Sequence, residues 1–271
     1  MSKQMRKVSL GFVDLDGDKF PKQGQSYQLV PANSEEVGNL PKPEANLYLA
    51  RLQVVNFYIE DLPDFTQKNE ALIKFTSKTR DPKSVDNKES LTFALEFNVK
   101  DRSYAPGFLE RIIFRNVLMR EYLELGFNLV ELDKQSVETY SKIATIVKDS
   151  GLDKIDALNS IPYLKVATKL FDGAIRTFGK DSDDLVWSEA PSLYLQPGPG
   201  GSFLRTGIYV IYETMSLYQS RTGKKKKPGK KMPLGKLSYK DGEISHTSDP
   251  GHPLSNHLVF SVSLEGASIQ I

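Results

Sequence analysis

The 271-residue sequence predicts a mainly β protein, an antiparallel β-sandwich interrupted by one helical insertion. Three observations carry this. Apolar residues alternate with polar ones at period two through several segments between residues 47 and 132, the pattern of strands with one buried face. Those segments follow one another through polar loops, as antiparallel neighbours do. The period then turns helical between residues 134 and 180, and returns to two afterwards.

The elements follow in order. Residues 1–45 are rich in Gly, Pro, Asn and Gln around two short apolar pieces, Val8 to Val13 and Tyr27 to Val30. They predict an N-terminal arm with one or two strands, then a loop over Pro31 to Ala45. Residues 46–271 form the sandwich domain. Its strands begin with the apolar and aromatic run Leu47 to Ile59, then Ala71, Ile73 and Phe75. Leu91, Phe93, Leu95, Phe97 and Val99 alternate most clearly, followed by Ile112 to Met119 and by Leu123 to Leu129.

After Asp133, Val137, Tyr140, Ala144 and Val147 recur at helical spacing, with Asp133 placed to cap the first turn. Gly151 breaks the run, and a second helix starts at Ser160 with Pro162 in its first turn. Tyr163, Val166, Leu170, Phe171 and Phe178 line one face; Lys165, Lys169, Asp172 and Arg176 line the other. Strands resume at Leu185 to Trp187 and Ser192 to Leu195. Phe203 to Tyr218 reads as one long strand. Asp241-Gly242 between two short apolar pieces is a type I′ hairpin signal, and Leu258 to Leu264 is the last alternating strand.

Composition bounds the chemistry. The chain has no cysteine, which removes disulfides, thiolate nucleophiles and Cys-based zinc sites. No apolar h-region follows the basic start, and no run approaches the roughly 18 apolar residues of a spanning helix. The expectation is a cytoplasmic protein that reaches a membrane only peripherally. No cofactor motif is present.

The run Leu49-Ala50-Arg51-Leu52-Gln53-Val54-Val55-Asn56-Phe57-Tyr58-Ile59-Glu60-Asp61-Leu62-Pro63, with Asn69-Glu70-Ala71-Leu72-Ile73-Lys74-Phe75 after it, resembles the two opening strands of a C2 domain. Leu123 to Asp133 is similar to a later strand of that family ending at an acidic loop. The resemblance covers about a third of the chain and implies a sandwich that docks on membranes or proteins. A jelly-roll-like order of strands fits the same pattern. The family's calcium-binding aspartates are not retained: Asn69 stands at the second-strand position, and the third-loop motif reads Asp133-Lys134-Gln135.

Two constellations suggest chemistry. Gly11-Phe12-Val13-Asp14-Leu15-Asp16-Gly17-Asp18 resembles the first motif of haloacid-dehalogenase-type phosphotransferases, in which the first aspartate attacks phosphorus and the second handles the proton. Asp14 and Asp16 would take those roles in a metal-dependent phosphatase. However, Lys19 to Gln25 does not start the helix that fold needs, so a loop between strands is expected. His246, His252 and His257 lie in one Pro/Gly-rich segment. Their spacing allows zinc without imposing it, and exposed loop histidines are expected. No catalytic or metal-binding residue is assigned.

Charge is the more telling feature. The formal net charge is +2, yet seven lysines fall between Lys224 and Lys236 with no acidic residue among them, so the rest of the chain is acidic. Lys224, Lys225, Lys226, Lys227, Lys230 and Lys231 surround Pro228-Gly229 in a loop spanning 221–236. Such a loop suits an anionic lipid surface, nucleic-acid phosphates or an acidic protein face. The basic stripe of Lys165, Lys169 and Arg176 suits a membrane or a partner. The expected function is therefore noncatalytic interaction with a polyanionic surface. A structural subunit of a homo-oligomeric shell or complex is the alternative.

Overall fold

The computed structural model describes residues 7–16, 18, 20–62, 69–80, 88–132, 185–214, 233–247 and 255–267. The predicted insertion (134–180), Lys165, Lys169, Arg176 and the six clustered lysines lie outside them. The described chain is mainly β, and its strands pair antiparallel except for the short parallel pair β10–β11. In chain order the strands are β1 (Val8–Val13), β2 (Tyr27–Pro31), β3 (Tyr48–Ile59), β4 (Asn69–Arg80), β5 (Lys88–Val99), β6 (Ser103–Tyr104), β7 (Arg111–Met119) and β8 (Tyr122–Leu132). They continue with β9 (Leu185–Glu189), β10 (Ser192–Tyr194), β11 (Ser202–Phe203), β12 (Gly207–Glu213), β13 (Leu237–Lys240), β14 (Glu243–His246) and β15 (His257–Gly266). One helical turn, α1 (Glu35–Gly38), interrupts the expected loop after β2.

Two sheets result. The first runs β14-β13-β2-β1-β12-β15-β3-β6, with β7 beside β6 along the outer edge of β3. The second runs β11-β10-β8-β4-β5, with β9 also on β8. Both strands of the N-terminal segment are interior members of the first sheet, β1 lying between β2 and β12.

Between the sheets lies a core rich in aromatic rings. Phe260 of β15 meets Phe127 of β8 at 5.2 Å, and Phe57 of β3 meets Trp187 of β9 at 5.7 Å. Phe108, fully buried in the loop after β6, wedges between Phe57, Phe75 and Phe97. These offset and edge-on contacts add to the area that each ring removes from water.

A second core forms on the opposite face of the first sheet. Val13, Tyr27, Leu29, Ile208, Val210, Tyr212, Leu237, Tyr239, Ile244 and Val259 pack there. The seven of these outside β13–β14 could not cover themselves in one flat strand layer. The sheet instead curls until its far hairpin, β13–β14, folds over β12, β15 and β3. The turn of that hairpin marks the contact: a Cβ on Gly242 would lie 3.5 Å from Val55 of β3, six strands away in sheet order. Asp241 and Gly242 have φ of 50° and 89°, the two left-handed residues that the type I′ turn demands.

The predicted long strand from Phe203 to Tyr218 is divided. β11 ends at Phe203, β12 begins at Gly207, and residues 215–218 lie outside the described set. Arg205 causes the break. Its buried guanidinium donates to the carbonyls of Gly38 (2.7 Å), Leu40 (3.0 Å), Leu195 (2.9 Å) and Leu204 (2.8 Å). It also lies over the Phe203 ring. A regular strand could not bring one cation to four oxygens on three segments. Gly207 follows because a Cβ there would run into the Phe12 ring.

Replacing Arg205 with Met is expected to cost about 2–4 kcal/mol, since it strands several buried carbonyls at once. Lysine should not rescue, because one ammonium lacks the fork that reaches in several directions. Urea unfolding of both variants checks this; a cost below 1 kcal/mol for the Met variant would contradict it.

Candidate functional site

The structure separates the features that the sequence grouped. His246 and His257 are not exposed loop residues. His246 closes β14 and His257 opens β15, with 7% and 1% of their surface accessible. The reason is the curl: the hairpin that carries His246 folds across the strand that carries His257. His252 lies outside the described residues. Among the described residues no group of three or more His, Asp and Glu is arranged to hold a metal.

Asp14 and Asp16 sit in the turn after β1, where the Asp14 carboxylate accepts a hydrogen bond from the Asp16 amide at 3.1 Å. β1 is antiparallel to both β2 and β12. The central parallel strand that the phosphotransferase motif requires is not what carries these residues. Asn69, which the C2 resemblance sets at a calcium position, begins β4 opposite Val99.

The described residues that flank the lysine-rich segment are held on both sides. On one side the Thr214 amide donates to Lys7 O at 3.0 Å, directly after β12. On the other, a 3₁₀ turn over Leu234–Lys236 leads into β13, and the Thr247 amide closes it by donating to Lys236 O at 2.9 Å. Leu234 packs toward Gly11 and Leu29 beneath it. The exposed Lys7 and Lys236 extend the positive charge onto the fixed framework.

A polar and aromatic cluster that the sequence did not announce surrounds His257. Its ring stacks on Tyr58 at 5.3 Å and 23°, and Tyr58 meets Tyr104 edge-on at 5.1 Å. The Tyr58 hydroxyl donates to Glu60 Oε2 at 3.0 Å, and Arg102 Nε donates to Glu60 Oε1 at 3.3 Å. The Glu243 carboxylate of the folded-over hairpin lies beside Tyr104 and favours its protonated hydroxyl. Burial, with these carboxylates beside them, pushes both tyrosine hydroxyls up. Burial also raises Glu60, against the pull of Tyr58 and Arg102.

Directly before His257, Asn256 binds three strands together. Its side-chain oxygen accepts from the amides of Glu60 (2.6 Å) and Asp61 (3.1 Å). Its amide nitrogen donates to Asp61 O (3.0 Å) and Glu213 Oε1 (2.7 Å). Trp187 Nε1 donates to the same Glu213 oxygen at 2.8 Å, which ties the second sheet to the first. The sequence signal was present: Arg205 and Glu213 bracket the apolar run from Ile208 to Tyr212, and buried charges need partners.

His257 Nδ1 lies 2.9 Å from Ser255 O and therefore carries the proton. Nε2 is then an acceptor, buried and without a hydrogen-bond partner among the described residues. Burial pushes the imidazole down to about 4. A neutral ring sealed in this way cannot relay protons to a substrate, which requires hydrogen-bond reach. The cluster holds the hairpin to β3 and β6.

A pH dependence follows. An unfolded imidazole titrates near 6.5 and the folded one near 4, so between these values only the unfolded chain takes the proton. Stability should therefore fall as pH drops through that window, by about 3 kcal/mol in all from this group. Glu60, raised in the fold, acts with the opposite sign and remains in the variant. Unfolding free energies at neutral pH and at the bottom of the window should converge between wild type and His257→Gln. An unchanged difference would refute the assignment. Comparison with protein-family models, curated proteins and solved structures finds no match to this chain.

Proposed function

We propose that this chain is a noncatalytic interaction protein that engages a polyanionic surface through the loop 221–236. The observation that carries the reading is the concentration of seven lysines between Lys224 and Lys236, without an acidic residue, in an otherwise acidic chain. Both roots of the loop are hydrogen-bonded to the framework, and Lys7 and Lys236 stand exposed beside them. Clustered lysines lower the free energy of an anionic surface nearby by about 1 kcal/mol each. Lysine without interleaved aromatic residues favours phosphate contact over base readout. The fold that presents the loop is on this reading a C2-like or jelly-roll-like sandwich, with the segment 134–180 inserted as helices. Lys165, Lys169 and Arg176 add a second basic face. The protein works in the cytoplasm, at times on a membrane.

A structural or assembly subunit is the second reading. Phe20 and Leu109 favour it, since they stand 78% and 74% exposed on hydrogen-bonded loops. A protein partner covers such side chains where they join into a contiguous patch.

The test replaces Lys224, Lys225, Lys226, Lys227, Lys230 and Lys231 with serine. Flotation with phosphatidylserine vesicles and titration of a fluorescent polynucleotide should both lose at least tenfold in affinity. Binding by the wild-type chain should weaken steeply with salt. Binding that survives the six replacements would sink the reading.

A further inference from the structure

The open edges of the two sheets differ in how they are guarded. β6 and β11 have two residues each and β14 has four, too short to seat another strand. β9 has five, with a shifted register against β8. β7 has nine, but its pairing with β3 breaks twice and Asn116 within it takes a φ of 55°. Short length, bulges and kinks are the means by which natural sheets keep edges from pairing.

β5 has none of these. It pairs with β4 through twelve consecutive residue pairs, from Lys88 opposite Arg80 to Val99 opposite Asn69, without one register shift. No ladder forms on its other edge among the described residues. Its sequence holds neither Pro nor Gly, and its single lysine is the first residue. The outward N–H and C=O groups of such a strand match one kind of occupant, another extended strand.

We propose that two copies of this chain associate by antiparallel pairing of β5 with β5. The argument for a second copy is length and regularity. Among the described residues β5 itself is the one open-edged strand long and straight enough to satisfy the whole edge. Antiparallel pairing about a two-fold axis is self-complementary and leaves neither copy with an open β5. The second sheet then continues across the axis, and the inner faces that hold Phe97 and Val99 join end to end.

Because the chain has no cysteine, single replacements report on this contact without background. Ser90, Thr92, Ala94, Glu96 and Asn98 each become Cys in turn, and oxidised samples run on a non-reducing gel. Light scattering of the unmodified chain should give a dimer. Cross-linking should peak several-fold at the position nearest the axis and fall away on both sides. Ala94→Lys should shift the dimer toward monomer by tenfold or more with an unchanged circular dichroism spectrum. If that variant misfolds, the Cys profile decides alone. A monomeric unmodified chain, a flat cross-linking profile, or a dimer that survives a folded Ala94→Lys would each overturn the proposal.

Discussion

Strands β12 and β15 are buried on both faces, and the remaining architecture follows from that constraint. Tyr209, Ile211, Phe260 and Val262 face the second sheet, while Ile208, Val210, Tyr212 and Val259 face the other way. Apolar side chains on both faces need two covers. One is the second sheet. The other has to come from the first sheet itself, which curls and lays β13–β14 over its own outer face. The I′ turn at Asp241-Gly242 makes this geometry available, since its twist matches that of the paired strands.

Curling brings polar groups into places that water does not reach, and most are answered by a defined partner. Arg205 is satisfied by backbone carbonyls, Glu213 by Trp187 and Asn256, and the amides of Glu60 and Asp61 by Asn256. Such contacts add little net stability compared with water, but breaking one leaves a buried group unpaired. They therefore select one arrangement of the sheets over near alternatives. Among the described residues Ser34 Oγ, Ser77 Oγ and His257 Nε2 are buried without a partner, and of these the imidazole is the one that takes up a proton, which makes it a site of acid sensitivity.

Function, on the proposed reading, is carried outside this framework. The described residues on either side of the lysine-bearing segment, Thr214 and the 3₁₀ turn before β13, are hydrogen-bonded to the framework. A rigid base with a charged loop separates recognition from folding. On that reading, replacing the lysines changes binding and leaves folding to the two cores. The β5 edge belongs to the second sheet, while β12 and β13, which flank the lysine-rich segment in sequence, belong to the first.

The sequence by itself determined the strand content and much of its placement. Period-two alternation located β4, β5, β8 and β15, because a half-buried strand writes its orientation into every second residue, and apolar runs located β3 and β7. It also located the turn at Asp241-Gly242, where only local backbone conformation matters. Tertiary structure decided the rest. Whether His246 and His257 were exposed depended on a hairpin folding over a strand eleven residues beyond its own end. That Phe203 to Tyr218 would break at Arg205 depended on carbonyls of Gly38, Leu40 and Leu195, and no local pattern contains them. Alternation is a property of neighbours along the chain. Burial and hydrogen-bond partnership are properties of segments that meet only after the sheet has curled.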